Sequence, residues 1–224
     1  MRATPDAAEG STPARAGTNG IRRGARLEVA TIGWDAAEAL VAIAAGALAG
    51  SVSLTGFGLD SAIEVLAASL VLARLRTFLG GGAPDEGRER RTLRVVAATF
   101  FALALYLVVD GAFALATGAR PATSPAGIAV TAAALVVMPA LALAKRRTGR
   151  RLGGPGGRPE AGRLLVAEAS ESLVCASLSA ATLLALVLNA SLGWTWVDPA
   201  AGFVIAAFAL REGREAWGGE LCCD

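Results

Sequence analysis

The chain has 224 residues, of which 54% are hydrophobic, and its 21 basic and 19 acidic residues leave a formal net charge of +2. The mean hydropathy of +0.53 is too high for an ordinary soluble domain, and the small net charge gives no indication of nucleic-acid binding. The sequence contains no histidine, which excludes Ser–His and Cys–His catalytic dyads, and no Gly-rich phosphate loop. Nothing predicts an enzyme or a bound cofactor.

Six apolar runs indicate transmembrane helices, each of which needs about 20 residues. Residues 1–25 are rich in Ala, Thr, Gly, Pro and Arg and predict a disordered N-terminus without a cleavable signal. The predicted spans cover residues 29–49, 52–73, 95–117, 125–144, 164–188 and 197–210; the last is short but follows the interfacial pair Trp194 and Trp196. We therefore predict an all-α polytopic membrane protein, with six transmembrane helices in one domain over residues 26–217 and a short tail over residues 218–224.

The basic residues predict the orientation of these spans. Twenty of the 21 lysines and arginines fall on one side of the predicted membrane, and only Arg120 falls on the other. The positive-inside rule makes the crowded side cytoplasmic, where these residues can also contact lipid headgroups. We expect a multi-pass protein of the cell membrane with both termini in the cytoplasm.

The second span carries the most informative residues, Asp60 and Glu64. An acid at the bilayer centre costs about 2.5–3.5 kcal/mol on insertion scales, so two acids in one helix point to a function. Their i, i+4 spacing places both on one face of the helix, where they can converge on one cation. No lysine or arginine lies inside any predicted span to neutralise them.

The fifth span carries Glu168, Glu171 and Cys175 at i, i+3 and i+7, also on one face. Counted at 1.5 Å per residue from the cytoplasmic side, Asp60 is level with Cys175, and Glu64 with Glu171, at depths of about 12–21 Å. Asp60, Glu64, Glu171 and Cys175 are therefore our predicted metal ligands, in a roughly tetrahedral shell. Small neighbours such as Gly56 and Gly58 would let the helices approach.

Three further acids are possible accessory or proton-relay residues. Asp35 and Glu38 share a face of the first span, and they either extend the site or form a hydrogen-bonded packing cluster. Glu168 is either an acid at the cytoplasmic mouth or a partner of Arg163. We interpret Asp198 and Pro199 as the N-cap and first residue of the last helix.

At these residues the chain resembles the cation diffusion facilitators, a six-span family that exports zinc and related divalent metals. The resemblance runs from about Arg26 to Trp217 and is sharpest in SLTGFGLDSAIEV, AEASESLVCASLS and WVDPAAGFVIAAFALREGREAW. That family carries Asp-x-x-x-Asp in span two, matched by Asp60 and Glu64, and His-x-x-x-Asp in span five, where alignment places Glu171 at the histidine and Cys175 at the aspartate. The chain departs from the family in having no histidine, and we expect a short, divergent member without the cytoplasmic domain that follows span six in many members.

The resemblance implies a homodimer that exchanges a divalent cation for protons by alternating access. Three carboxylates and a thiolate suit zinc, which we favour, although carboxylates also suit manganese and iron(II). The alternatives are a membrane protein that binds or senses metal without transporting it, and a proton-coupled exporter of organic cations. The adjacent Cys222 and Cys223 either hand over metal or accept palmitate.

Overall fold

The computed structural model describes residues 13–82, 86–155 and 157–218, and all regular secondary structure in these ranges is α-helical. The six helices are α1 (Pro13–Ala49), α2 (Val52–Leu79), α3 (Glu86–Thr117), α4 (Pro125–Leu152), α5 (Pro159–Leu192) and α6 (Val197–Gly218). Helices α1 to α5 each contain a stretch long and apolar enough to cross a membrane, and α6 is the sixth helix of the bundle. The predicted all-α polytopic membrane fold is confirmed.

Turn and capping residues set the helix ends on one side of the bundle. Gly50 has φ +65°, a left-handed conformation that glycine adopts without strain, and with Ser51 it forms the whole connection between α1 and α2. The Ser51 hydroxyl accepts a hydrogen bond from the backbone N–H three residues on, at 3.2 Å. Ser124 caps α4 in the same way at 3.1 Å, and Pro125 follows at the first helical position. These ends coincide with the predicted ones.

At the other side the helices run well past the predicted spans. Helix α1 begins at Pro13, so residues 13–25, which we expected to be disordered, are helical, and Ile21 is buried. Helix α4 likewise continues through residues 145–152, which we had assigned to a cytoplasmic connection. Residues 1–12 and the tail over residues 219–224, with Cys222 and Cys223, lie outside the described residues.

Helix α2 is central in the bundle, where it contacts α1, α3, α5 and α6, while α4 packs against α1 and α5 and α3 packs against α6. Gly58 allows α2 to approach α1: a Cβ added there would lie 2.7 Å from the backbone nitrogen of Ile43. The crossing of α4 and α5 is equally close, because a Cβ on Gly149 would lie 2.6 Å from the backbone oxygen of Gly162. Small residues therefore bring α2 to α1 and α4 to α5.

The start of α6 is fixed to the start of α2 by Asp198. This residue lies inside the first turn of α6, so our interpretation of it as the N-cap of that helix is wrong. Its buried carboxylate instead accepts hydrogen bonds from the hydroxyls of Ser51 (2.5 Å) and Ser53 (2.6 Å) and from the backbone N–H of Val52 (2.7 Å). An anion at a helix N-terminus is favourable, and here it holds the first residues of α2 and α6 at one level.

Candidate cation site

Three of the four predicted metal ligands line one cavity, of about 70 Å³, between α2, α3, α5 and α6. Asp60 and Glu64 enter it from α2, as their i, i+4 spacing predicts, and Glu171 enters it from α5. Asp60 is 4% exposed, whereas Glu64 and Glu171 are partly buried. The rest of the wall is largely apolar and includes Val96, Phe100, Val174, Leu178 and Phe208.

The apolar wall determines what these acids can do. An ionised carboxylate is costly to bury without a partner, and Asp60 has neither a hydrogen bond nor an ion pair within the described residues. One oxygen of Glu64 is also buried without a hydrogen-bond partner. A bound proton or a bound cation would relieve both deficits.

The fourth predicted ligand, Cys175, lies outside the cavity lining. Its side chain is fully buried in the apolar core, and its sulfur lies 4.0 Å from Oε1 of Glu38 on α1. It also lies close enough to Glu64 for a side-chain interaction. Among the described residues, no three Asp, Glu or Cys side chains gather tightly enough to hold a metal ion. The cavity thus presents carboxylate oxygens, with the thiol behind them.

The acids of α1 lie behind this cavity, on the far side of α2. Glu38 accepts hydrogen bonds from the indole N–H of Trp34 and from the hydroxyl of Ser61, both at 2.6 Å. Asp35, by contrast, is fully buried, and neither of its oxygens has a hydrogen-bond partner in the described part of the chain. Glu38 therefore connects α1 to α2, whereas Asp35 has only the more distant charge of Lys145 in its favour.

Glu168 does not pair with Arg163, which is exposed; its partner is Lys145. The Lys145 ammonium lies 3.0 Å from Glu168 on α5 and 3.1 Å from Glu28 on α1, with all three side chains at most 7% exposed. We predicted no base in any span, but α4 continues past residue 144, the predicted end of span four, and carries Lys145 into the core. We name Glu28, Lys145 and Glu168 the lysine triad.

Sequence reasoning missed Glu28 and two further cavity acids, Glu212 and Glu215. Glu28 precedes Asp35 by seven residues and so shares its helix face, a spacing that could have revealed it. Glu212 and Glu215 on α6 line the cavity with Phe208, at i, i+4 and i+7. Glu212 and Glu215 follow residue 210, the predicted end of the last span, so they were not assigned to that helix.

A bundle of long apolar helices around a cavity lined with carboxylates defines a multi-pass membrane protein that handles cations. The model of the cation efflux transmembrane domain matches residues 93–216, which is more than half of the chain. The protein therefore belongs to the cation efflux family, and it is a cation efflux transporter. No match is found among curated proteins. The matched segment contains Glu171, Cys175 and Glu212, while Asp60 and Glu64 precede it.

Proposed function

We propose that this protein exports a divalent metal cation in exchange for protons, by alternating access in a homodimer whose termini are cytoplasmic. Zinc is the first candidate substrate, with manganese and iron(II) as alternatives. The observation that carries this proposal is the cavity into which Asp60, Glu64 and Glu171 project from two helices. Converging carboxylates in an apolar surrounding have an affinity for a divalent cation that a neutral or anionic solute would not share.

Proton exchange follows from the same chemistry. Carboxylates must be deprotonated to bind a metal, so loading the cavity releases protons, and protonation from the opposite side releases the metal. Asp60 supports this proposal because it has no basic partner among the described residues and so needs either a proton or a cation. Asp35 and Glu38, buried behind α2, are proposed to pass protons to or from the cavity.

The packing of the helices supports alternating access. Helices α3 and α6 pack against each other and supply the wall of the cavity opposite Asp60 and Glu171. A movement of this pair relative to α2 and α5 would open the cavity without separating α1 from α4, which the lysine triad joins. Such a rigid-body shift of packed helices is a common form of conformational switching.

The identity of the metal depends on Cys175. The cavity itself offers oxygen ligands, which suit manganese and also accept iron(II), while a thiolate favours zinc. Cys175 adjoins Glu64, and a rotation of its side chain with a small shift of α5 would add sulfur to the ligand set. Zinc is favoured on the premise that this thiol takes part.

Metal uptake into everted membrane vesicles tests the proposal. We expect pH-gradient-driven uptake of zinc by the wild type and loss of uptake in Asp60→Asn, which keeps the size of the side chain but cannot ionise. Asp110→Asn is the matched control, because Asp110 lies on α3, bonds to Tyr106 and does not line the cavity. Metal binding without uptake by the wild type would instead establish the sensing alternative, and normal uptake by Asp60→Asn would refute the site.

A further inference from the structure

We propose that Glu212 of α6 is a direct cation ligand, which receives the divalent ion on its way between the cytoplasmic end of the bundle and Asp60. This inference rests on the proposed function, and it adds a binding residue from a third helix to a site so far built from α2 and α5. Glu212 belongs to neither of the two residue pairs, Asp60 with Glu64 and Glu171 with Cys175, from which the ligands were predicted.

The level of Glu212 in the bundle can be worked out from the bond network of Asp198. That network holds the starts of α2 and α6 together, so distances along both helices can be counted from one plane. At 1.5 Å per residue, Asp60 lies about 12 Å from this plane, Glu64 about 18 Å and Glu212 about 21 Å. The cavity acids therefore lie at successive depths along the bundle, and Glu212 is the next acid beyond Glu64.

The orientation of Glu212 is set by its helix face. Phe208, Glu212 and Glu215 all line the cavity, so this face of α6 is turned towards α2 and α5. Glu212 lines the same cavity as Asp60 and Glu171, which places it near both members of the predicted site. An ion held by Glu212 is thus within the field of the next two carboxylates.

Glu212 lies near the Arg211 guanidinium but has no bonded basic partner among the described residues. It makes no hydrogen bond and no ion pair there, whereas its neighbour Arg211, which is largely exposed, pairs with Glu215 at 2.9 Å. Lys145 is already bonded to two glutamates.

A second observation at the same cavity points to a ligand. Asp60 is about nineteen-twentieths buried and lines the cavity without a hydrogen-bond partner among the described residues. Buried polar groups are almost always paired in folded proteins, so this carboxylate indicates a place that a ligand fills. Glu212 lines the same cavity and provides the first of the successive positions through which the ion passes to Asp60.

The test is equilibrium binding of zinc and of manganese to the purified full-length protein, together with uptake into proteoliposomes. Glu212→Gln should weaken binding, and raise the KM for uptake, by about tenfold or more, while Glu212→Asp, which keeps the carboxylate, should recover most of the loss. The matched control is Glu160→Gln, since Glu160 is an exposed acid in the first turn of α5 and does not line the cavity. It should bind as the wild type does.

Salt separates a ligand from a remote charge. Measurements at about 0.1 M and about 0.5 M potassium chloride should show the same defect in Glu212→Gln, because screening weakens distant attraction but not direct coordination. Wild-type binding by Glu212→Gln, or a defect that disappears at the higher salt, would overturn the inference. So would a Glu212→Asp variant as impaired as the glutamine variant despite normal elution as a folded protein.

Failure of the proposed function gives a different result. If the wild type binds metal but transports none, transport fails while the binding assay still decides the role of Glu212. If Asp60→Asn binds normally but Glu212→Gln does not, the site of the proposed function is wrong and Glu212 remains a ligand.

Discussion

Removing the ammonium of Lys145 is expected to destabilise the bundle strongly. Lys145 is fully buried and joins α4 to Glu28 of α1 at 3.1 Å and to Glu168 of α5 at 3.0 Å. Lys145→Met keeps an apolar side chain of similar length but leaves two carboxylates in the core without their cation. Breaking a buried ion pair by removing one partner costs about 3–5 kcal/mol, and we expect a loss in that range.

The size of this loss depends on the uncompensated charge and not on the loss of contacts. The triple variant Glu28→Met, Lys145→Met, Glu168→Met removes all three charges together and keeps side chains of similar length. Replacing a whole buried ion-pair network by hydrophobic residues of similar volume is often close to neutral for stability. We therefore expect the triple variant to regain most of what Lys145→Met loses.

Reversible unfolding of the purified protein in mixed micelles, with increasing denaturing detergent, would measure these free energies. Arg146→Met is the matched control, because Arg146 is the next residue of α4 and is exposed. We expect it to change the free energy of unfolding by less than about 0.5 kcal/mol. A loss below about 1 kcal/mol for Lys145→Met, or a triple variant as unstable as the single one, would refute the reasoning.

Four other variants test separate parts of the structure. Asp198→Ala removes three hydrogen bonds at the start of α2 and should cost about 2–4 kcal/mol in the same unfolding assay. A loss under about 0.5 kcal/mol would count against the link that Asp198 forms between α2 and α6. Gly162→Val places a Cβ about 2.6 Å from the backbone oxygen of Gly149 and should cost about 1–3 kcal/mol, whereas an unaffected stability would mean that α4 and α5 can separate freely. Cys175→Ser should lower the ratio of zinc to manganese uptake, and an unchanged ratio would restrict Cys175 to packing. Glu38→Gln should remove the pH dependence of uptake while metal still binds at equilibrium, and wild-type pH dependence would leave Glu38 as a link between α1 and α2.

Sequence reasoning located one end of the helices well because turn chemistry marks it. Gly50 and Ser51, and Ser124 and Pro125, are residues that stop or start helices for local reasons, and the predicted boundaries there agree with the structure. The opposite ends were judged from hydropathy alone. Hydropathy indicates where the membrane ends, but lysine and arginine are good helix formers, so α4 continues through residues 145–152.

The candidate site was predictable within a helix and not between helices. The spacing of Asp60 and Glu64 requires one shared face, and the structure places both in one cavity. Which neighbouring helix that face meets depends on packing, and small residues decide it here: Gly58 brings α2 against α1, so that Ser61 bonds to Glu38. The same packing explains why Cys175, level with Asp60 by depth, lies against Glu38 behind the cavity.

The charge balance of the bundle connects the lysine triad to the cavity. Six carboxylates are buried within the described residues, and Lys145 is the only buried base in the same part of the chain. Two of the six, Glu28 and Glu168, already pair with it. Asp198 is compensated by hydrogen bonds at the start of α2, and Glu38 by those from Trp34 and Ser61. The two remaining carboxylates, Asp35 and Asp60, make no hydrogen bond and no ion pair within the described residues, and of these two Asp60 lines the cavity. The demand for a proton or a cation therefore falls on these two acids and not on the whole core. In the proposed function, a divalent ion that enters the cavity meets this demand and displaces protons, so that loading of metal and release of protons are one event.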